Sequence, residues 1–187
     1  AVVLVSVLFS LSAAAQSDRF DKVEIRSIRL TENIFMLQGE GGNIGVLAGD
    51  DGVFVIDDQF APLTPRILAA IKVISDKPVR FLINTHWHFD HTGGNENLGN
   101  AGVVIVAQDN VRKRLSVKTP IAFFKAEYGP APPAAMPVIT FKDTVTFHLN
   151  GDDVTAIHVP NAHTDGDAII HFRSANVVHM GDTYFSG

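Results

Sequence analysis

One short segment, residues 86–91, places three imidazoles and one carboxylate within six positions, in the order His-Trp-His-Phe-Asp-His. It directly follows residues 79–84, whose β-branched and aromatic content is typical of a buried strand. Gly93 and Gly94 come just after the segment and favour a sharp change of chain direction. So many metal-binding side chains in one place are hard to explain by packing alone. The segment therefore predicts a strand that ends in a metal-binding loop.

The donor atoms of this segment are those that zinc prefers. Neutral imidazole nitrogen and carboxylate oxygen are the zinc ligands besides thiolate, and the chain has no cysteine. Alternate residues of an extended backbone share a face, so His86 and His88 can point the same way. Asp90 and His91 lie past the turn and can aim at a neighbouring point. Four such ligands would fill a single tetrahedral ion, so they suit a pair of ions about 3.5–4 Å apart better.

Two later residues are candidates to complete such a site. His163 stands in a polar turn between two predicted strands, and Asp182 follows Gly181 at the predicted end of another strand. Either residue alone would more often be structural than functional. Four other histidines fall inside predicted strands and are interpreted as ordinary structural residues, namely His148, His158, His171 and His179.

Taken together, these motifs resemble the metallo-β-lactamase-fold hydrolase superfamily. Its signatures are H-x-H-x-D-H after a strand, a later His in a turn, and an Asp that follows a Gly at a strand end. The resemblance spans roughly residues 23–187 and implies a mixed α+β fold, an αββα sandwich with its metals at one edge of the two sheets. The implied zinc ligands are His86, His88 and His163 for the first ion, Asp90 and His91 for the second, and Asp182 as a bridge between both.

One element of the family pattern is missing from this sequence. A further His normally arrives in the C-terminal part of the family's chains and completes the second metal site. Here the sequence stops at Gly187, and it starts without Met. We therefore expect a fragment that is truncated at its C-terminus, with an incomplete second site.

The resemblance also implies an activity, that of a dinuclear zinc hydrolase. A metal-bound hydroxide would attack the carbonyl of an ester, thioester, lactone or β-lactam-type substrate. Asp90 could also relay a proton, and Tyr184 could reach the oxyanion, although packing beside Phe185 is its more ordinary role. Asp182 stands where two β-lactamase subclasses carry Cys or Ser, which favours thioester or lactone substrates. The alternative is a catalytically inactive zinc-binding module of the same fold.

Composition limits the class of protein and its partners. With 187 residues and 46% hydrophobic side chains, the chain predicts one globular domain over residues 16–187. Residues 1–15 are mostly apolar and end in three alanines, which predicts a partial signal peptide and a periplasmic or secreted protein. They are shorter than a spanning helix, so no membrane contact is expected once they are removed. A net charge of −5 without a basic run disfavours nucleic acid. A small carbonyl compound is the expected partner, and the sequence leaves the oligomeric state open.

Hydrophobic periodicity predicts strands interrupted by two helices. The helices are expected at 64–75 and 108–115, and the strands at 23–30, 34–37, 43–48, 53–57, 79–84, 103–107, 145–150, 154–160, 168–173 and 176–180. The segment 116–137 is the least regular and carries five prolines. Phe123, Phe124 and Tyr128 within it are predicted to line a substrate pocket or to belong to the core.

Overall fold

The structure is a computed structural model that describes residues 19–121 and 126–185. The predicted signal peptide at 1–15, together with Phe123 and Phe124, lies outside these residues, so those interpretations stay predictions. Within the described ranges, no helix is both long enough and apolar enough to cross a bilayer.

The larger of two main sheets has seven strands, which follow the order β1-β2-β3-β4-β5-β6-β9. They are β1 (Arg26–Arg29), β2 (Ile34–Gln38), β3 (Ile44–Gly49), β4 (Gly52–Ile56), β5 (Val79–Asn84), β6 (Val104–Gln108) and β9 (Ile139–Phe141). The first four strands are antiparallel to one another, and β4, β5, β6 and β9 are parallel. Parallel neighbours need crossover connections. These connections carry α1 (Thr64–Ile74), α2 (Phe89–Thr92), α3 (Asn95–Asn100) and α4 (Asp109–Leu115).

Helix α1 confirms the helix predicted from 64 and ends one residue earlier than predicted. Pro65 stands in its first turn, where the missing N–H costs nothing because that group has no partner inside the helix. Ile67 and Ile71 lie one turn apart and are both buried. They join a core that α1 shares with the larger sheet.

The smaller sheet is antiparallel and consists of β10 (Thr144–Leu149), β11 (Asp152–His158), β12 (Ala168–Phe172) and β13 (Val177–His179). Residues of β11 and β12 alternate between buried and half-buried, as expected for strands with one face inside. The inner face packs on the larger sheet through Phe54 and Phe172, which are at most 1% exposed. Burial of each such side chain contributes about 1.5–3 kcal/mol to the free energy of unfolding. The two stacked sheets confirm the predicted sandwich.

The two sheets meet at the edge where the metal-binding segment leaves β5. The backbone N–H of Ala168, the first residue of β12, donates to the carbonyl of Thr85 over 2.8 Å. Thr85 immediately precedes the segment, so this bond fixes the smaller sheet against the start of the loop. Ligands from both sheets can therefore converge at this edge.

Two sequence predictions are corrected by the structure. The strand predicted at 23–30 as half-buried is limited to Arg26–Arg29, and all four of its residues are exposed. It is an edge strand that pairs only with β2, so its alternating pattern does not mark a buried face. The irregular segment 116–137 contains a short hairpin, β7 (Thr119–Ile121) with β8 (Ala126–Tyr128), in which Tyr128 is half-buried.

Candidate metal centre

Hydrogen bonds from the end of β5 hold the metal-binding segment in place. β5 ends at Asn84, and the chain then passes through Thr85 and His86 into α2. The buried amide of Asn84 donates to the carbonyl of His91 over 3.2 Å and to Oδ1 of Asn95 over 3.0 Å. One side chain thus ties the end of the strand to both the segment and the following helix.

The first cluster of possible ligands consists of His86, His88 and His163. One ring nitrogen from each lies within 4.8 Å of the other two. Nε2 of His163 is 3.0 Å from Nδ1 of His88. His163 comes from the loop between β11 and β12, whereas the other two follow β5. The cluster therefore joins the two sheets.

A second cluster lies next to the first and shares His86 with it. Its other members are His91 and Asp182, and the three donor atoms again lie within 4.8 Å of one another. Oδ1 of Asp182 is 3.1 Å from Nε2 of His91, and its Oδ2 is 3.5 Å from Nε2 of His163. Oδ2 of Asp90 is 3.6 Å from Nε2 of His91. The structure thus brings all six predicted ligands together, with Asp182 between the two clusters.

Sequence reasoning missed a buried carboxylate, Asp57, that holds this centre from behind. Its Oδ2 is 2.7 Å from Nδ1 of His91, and it accepts hydrogen bonds of 2.7 Å from both the backbone N–H and the hydroxyl of Thr85. Its φ of 60° is unusual for a residue other than glycine, and such strain persists where the surroundings impose it. Asp57 ends the strand predicted at 53–57. An acidic residue at the carboxyl end of a strand parallel to β5 was the signal that could have identified it.

The titrating groups of the centre have strongly shifted pKa values. Burial, with the charges of neighbouring imidazoles, lowers the pKa of His86 well below its ordinary value, and burial and His163 lower that of His88. Burial also opposes the charging of His91, but the nearby Asp57 and Asp182 outweigh it and raise the pKa of His91 to about 10. The same contact with His91 lowers the pKa of Asp182 despite its partial burial. The carboxylates that face His91 thus favour its cationic form.

The free nitrogen atoms of this centre fit a metal ion. Nε2 of His86 is buried and forms no hydrogen bond, and Nε2 of His91 is buried and faces Oδ1 of Asp182 at 3.1 Å. Nδ1 of His86, by contrast, lies 3.1 Å from the hydroxyl of Thr85, and Nδ1 of His91 is held by Asp57. A buried nitrogen without a partner is costly, and a bound cation would remove that cost. Imidazoles held by a carboxylate or hydroxyl on one nitrogen are typical metal ligands through the other.

A glycine loop between β2 and β3 approaches the ligands closely. A Cβ atom on Gly42 would lie 2.2 Å from Cε1 of His91, and one on Gly41 would lie 2.9 Å from Cβ of Asp90. Gln59 donates to the carbonyl of Gly42 over 2.6 Å and fixes this approach. Only glycine leaves room for the His91 ring at position 42.

Two of the histidines interpreted as structural stand at strand ends, not inside strands as predicted. They are His158, the last residue of β11, and His179, the last residue of β13. Neither belongs to a possible metal cluster among the described residues. Nδ1 of His158 lies 2.9 Å from the carbonyl of Asp167, and His179 bonds the carbonyl of Asn43 and the N–H of Gly181. Backbone partners therefore occupy these rings.

A cleft of about 500 Å³ opens beside the centre, and its lining includes Asp90, His91 and Asp182. Tyr184 and Phe185 also line it and are 65% and 69% exposed. Tyr184 thus lines the cleft, and both interpretations of it, as an oxyanion donor and as a packing residue beside Phe185, stay predictions. The cleft gives a small molecule access to the second cluster.

Comparison with protein families gives one extended match. The family model described as the metallo-beta-lactamase superfamily matches residues 37–187. A solved metallo-beta-lactamase from Pontibacter korlensis superimposes with a TM-score of 0.64 at 19% identity, covering 81% of this chain and 68% of that one. At this identity the superposition shows a shared fold.

The names of the curated relatives describe more than one activity. A hydroxyacylglutathione hydrolase from Gloeobacter violaceus is 32% identical over 148 residues, which cover 74% of this chain and 50% of the relative. The acyl-coenzyme A thioesterase MBLAC2 from Bos taurus is 22% identical over 184 residues, covering 84% of this chain and 66% of that protein. The chain thus spans half to two thirds of the length of these relatives.

Proposed function

Because the chain belongs to the metallo-beta-lactamase superfamily, we propose that it is a dinuclear zinc hydrolase acting on a small carbonyl compound. The observation that supports this most directly is the pair of adjoining clusters, which share His86 and flank Asp182. Two adjoining ligand sets with a carboxylate between them suit a pair of neighbouring ions. A single structural ion would need one closed set of four ligands and would leave the other donors unused.

Each ion has an identifiable set of ligands in this proposal. His86, His88 and His163 would hold the first ion, and His91 with Asp90 would hold the second. Asp182 would contact both, as its two oxygens face different imidazoles. When bound, zinc activates water and polarises a carbonyl group.

The side chains around the clusters supply orientation and proton acceptance. Asp57 fixes the His91 ring so that its Nε2 faces Asp182. Asp90 is 29% exposed at the cleft and can accept a proton from water at its free oxygen. The hydroxyl of Tyr184, whose ring is 65% exposed, can donate to an oxyanion in the same cleft.

The substrate class follows from the chemistry of the centre and the names of the relatives. Two curated relatives are named hydroxyacylglutathione hydrolase and acyl-coenzyme A thioesterase, and these names favour a thioester substrate for this chain. A carboxylate at position 182 also favours a thioester or lactone over a β-lactam. We further propose, from the apolar residues 1–15, that the protein is exported. The proposed reaction does not depend on export.

The test combines metal content with hydrolysis by the purified protein. We expect about two zinc ions per chain and hydrolysis of at least one member of a panel of thioesters, lactones and β-lactams. His88→Ala should abolish turnover, whereas His148→Ala, which alters an exposed His on β10, should not. Zinc binding with no hydrolysis above background would instead favour the inactive module. Retained turnover in His88→Ala would contradict the proposal.

A further inference from the structure

His163 differs from the other five ligands in how it is supported. It stands on the loop between β11 and β12, and residues 161–163 are exposed. Within the loop, the hydroxyl of Thr164 donates to Asp167 over 2.8 Å. That bond shapes the turn but does not connect it to the rest of the protein. The position of His163 relative to His86 and His88 must therefore depend on contacts from outside the loop.

Helix α4 provides such contacts just after His163. Arg114 binds Asp165 through two nitrogens, with Nε 3.0 Å and Nη2 2.7 Å from Oδ2. The amide of Asn110 donates to the carbonyl of Asp165 over 2.7 Å. A Cβ atom on Gly166 would lie 2.9 Å from Cγ2 of the buried Val111, so the loop is pressed against the helix. One face of α4 thus contacts two consecutive loop residues.

Arg114 also contacts the segment that carries the other ligands. Its guanidinium carbon is 6.0 Å from the centre of the Trp87 ring. Trp87 lies between His86 and His88 in sequence, is 8% exposed, and its ring centre is 4.4 Å from that of His88. A planar guanidinium can stack on an aromatic ring and bind a carboxylate at the same time. Arg114 binds Asp165, two residues after His163, and lies over the ring of Trp87, which stands between His86 and His88 in sequence.

We propose that Arg114 is a positioning residue for the first metal site. By pairing with Asp165 while it lies over Trp87, it sets His163 at the distance from His86 and His88 that one ion requires. The inference rests on the proposed function, since it assumes that this cluster binds metal. The Arg114–Asp165 ion pair, although neither residue is a metal ligand, would thus hold the two sheets together at the centre.

The Arg114–Asp165 pair is expected to contribute little to folding stability. Arg114 and Asp165 are 43% and 39% exposed, and ion pairs at such positions usually contribute little to the free energy of unfolding. A bidentate pair does, however, fix geometry. Its loss should therefore be detected in metal affinity before it is detected in stability.

The experiment uses Arg114→Asp, Asp165→Arg and the double variant that exchanges the two charges. Lys113→Asp is the matched control, because Lys113 is exposed on the same helix and the charge change is identical. Zinc affinity is measured by competition with a chromogenic chelator. Cobalt is added as a second probe, because its visible absorption reports the geometry of the first site. Thermal unfolding of the metal-free proteins is followed in parallel.

We expect each single variant to bind the first equivalent of zinc about tenfold more weakly, with a changed cobalt spectrum and an unchanged unfolding temperature. The double variant should recover most of the affinity, and Lys113→Asp should match the original protein. Arg114→Lys keeps the charge but not the planar guanidinium, so its zinc affinity should lie between those of the original protein and Arg114→Asp. It replaces Arg114→Asp in the experiment if that variant does not fold.

Equal affinities for Arg114→Asp and Lys113→Asp, or no recovery in the double variant, would overturn the inference while leaving the proposed function intact. If the unsubstituted protein bound neither zinc nor cobalt, both proposals would be wrong.

Discussion

The candidate metal centre has a buried half around His91 and an assembled half around His163, and the two are supported in opposite ways. His91 is 1% exposed, with one ring nitrogen bound to the fully buried Asp57. The His163 side chain is 29% exposed and stands on a loop held by a half-exposed ion pair. His91 is thus held by a buried residue that follows β4 of the larger sheet, whereas His163 is held on a loop of the smaller sheet. The buried half should resist perturbation of the surface, whereas the assembled half should depend on it.

This contrast shows how a single centre can couple a rigid part to an adjustable one. A network of buried hydrogen bonds such as Asp57–Thr85–His91 is stable only when every member is satisfied. The contacts next to His163 lie within its own loop or reach the half-exposed Arg114, so its geometry can change without unfolding the domain. The following predictions test the distinction.

The largest effect is expected from Asp57→Ala. It would leave the hydroxyl and N–H of Thr85 and the Nδ1 of His91 without their buried partner. Loss of one member of a buried charged network costs about 3–5 kcal/mol. Urea unfolding of the metal-free protein measures this change, and the exposed Asp76→Ala is its control. A loss below about 1 kcal/mol would show that the buried half is not held by Asp57.

A smaller and more local effect is expected from His163→Ala. It removes a ligand of the first cluster only, so zinc content should fall from about two ions to about one. The free energy of unfolding should change little, because the residue is on an exposed loop. Metal analysis after gel filtration gives the stoichiometry. Loss of both ions would mean that the two halves are not separable as the contrast requires.

The pH dependence of the metal-free protein should come from the buried half. The folded pKa of His91, about 10, lies above its ordinary value of 6.5. Its stabilising contribution is therefore complete below about pH 6.5 and is lost as pH rises through about 10. Urea unfolding between pH 6 and 10 should show this decline in the original protein and in His163→Ala, but not in His91→Gln. An identical decline in His91→Gln would assign it to another group.

The smallest effect is expected from Tyr184→Phe. Its ring is 65% exposed at the cleft. Zinc content and unfolding should be unchanged, and turnover should fall by about tenfold or less if the hydroxyl assists the oxyanion. A changed zinc content would place Tyr184 closer to the ligands than the structure does.

The sequence predicted the parts of this molecule that depend on local patterns. β5, α1 and the segment 86–91 follow from hydrophobic periodicity and residue type, which act over a few neighbouring positions. The sandwich came from a resemblance, because pairing between distant strands has no local signature. The predicted extent of β1, residues 23–30, was wrong because an edge strand with exposed residues can show the same alternation as a half-buried strand.

The supporting residues of the centre were harder to predict than its ligands. Asp57 is 34 residues from His91, and Arg114 is 51 residues from Asp165. Such pairs are brought together by strand order, which no short motif encodes. Asp57 and Arg114 are also ordinary residues in their own segments, one at the end of a strand and one in a charged helix. The role of Asp57 becomes visible only when β4 is paired with β5, and that of Arg114 only when the two sheets are stacked.

The close approach of Gly42 to the His91 ring has a consequence for sequence variation. Any other residue at 42 would push the ring away from Asp57 or force the β2–β3 loop outward. A saturation library at this position, sorted for zinc retention, should return glycine alone. Attempts to evolve the protein toward a new substrate can therefore diversify the exposed rim at Tyr184 and Phe185, but they must leave position 42 untouched.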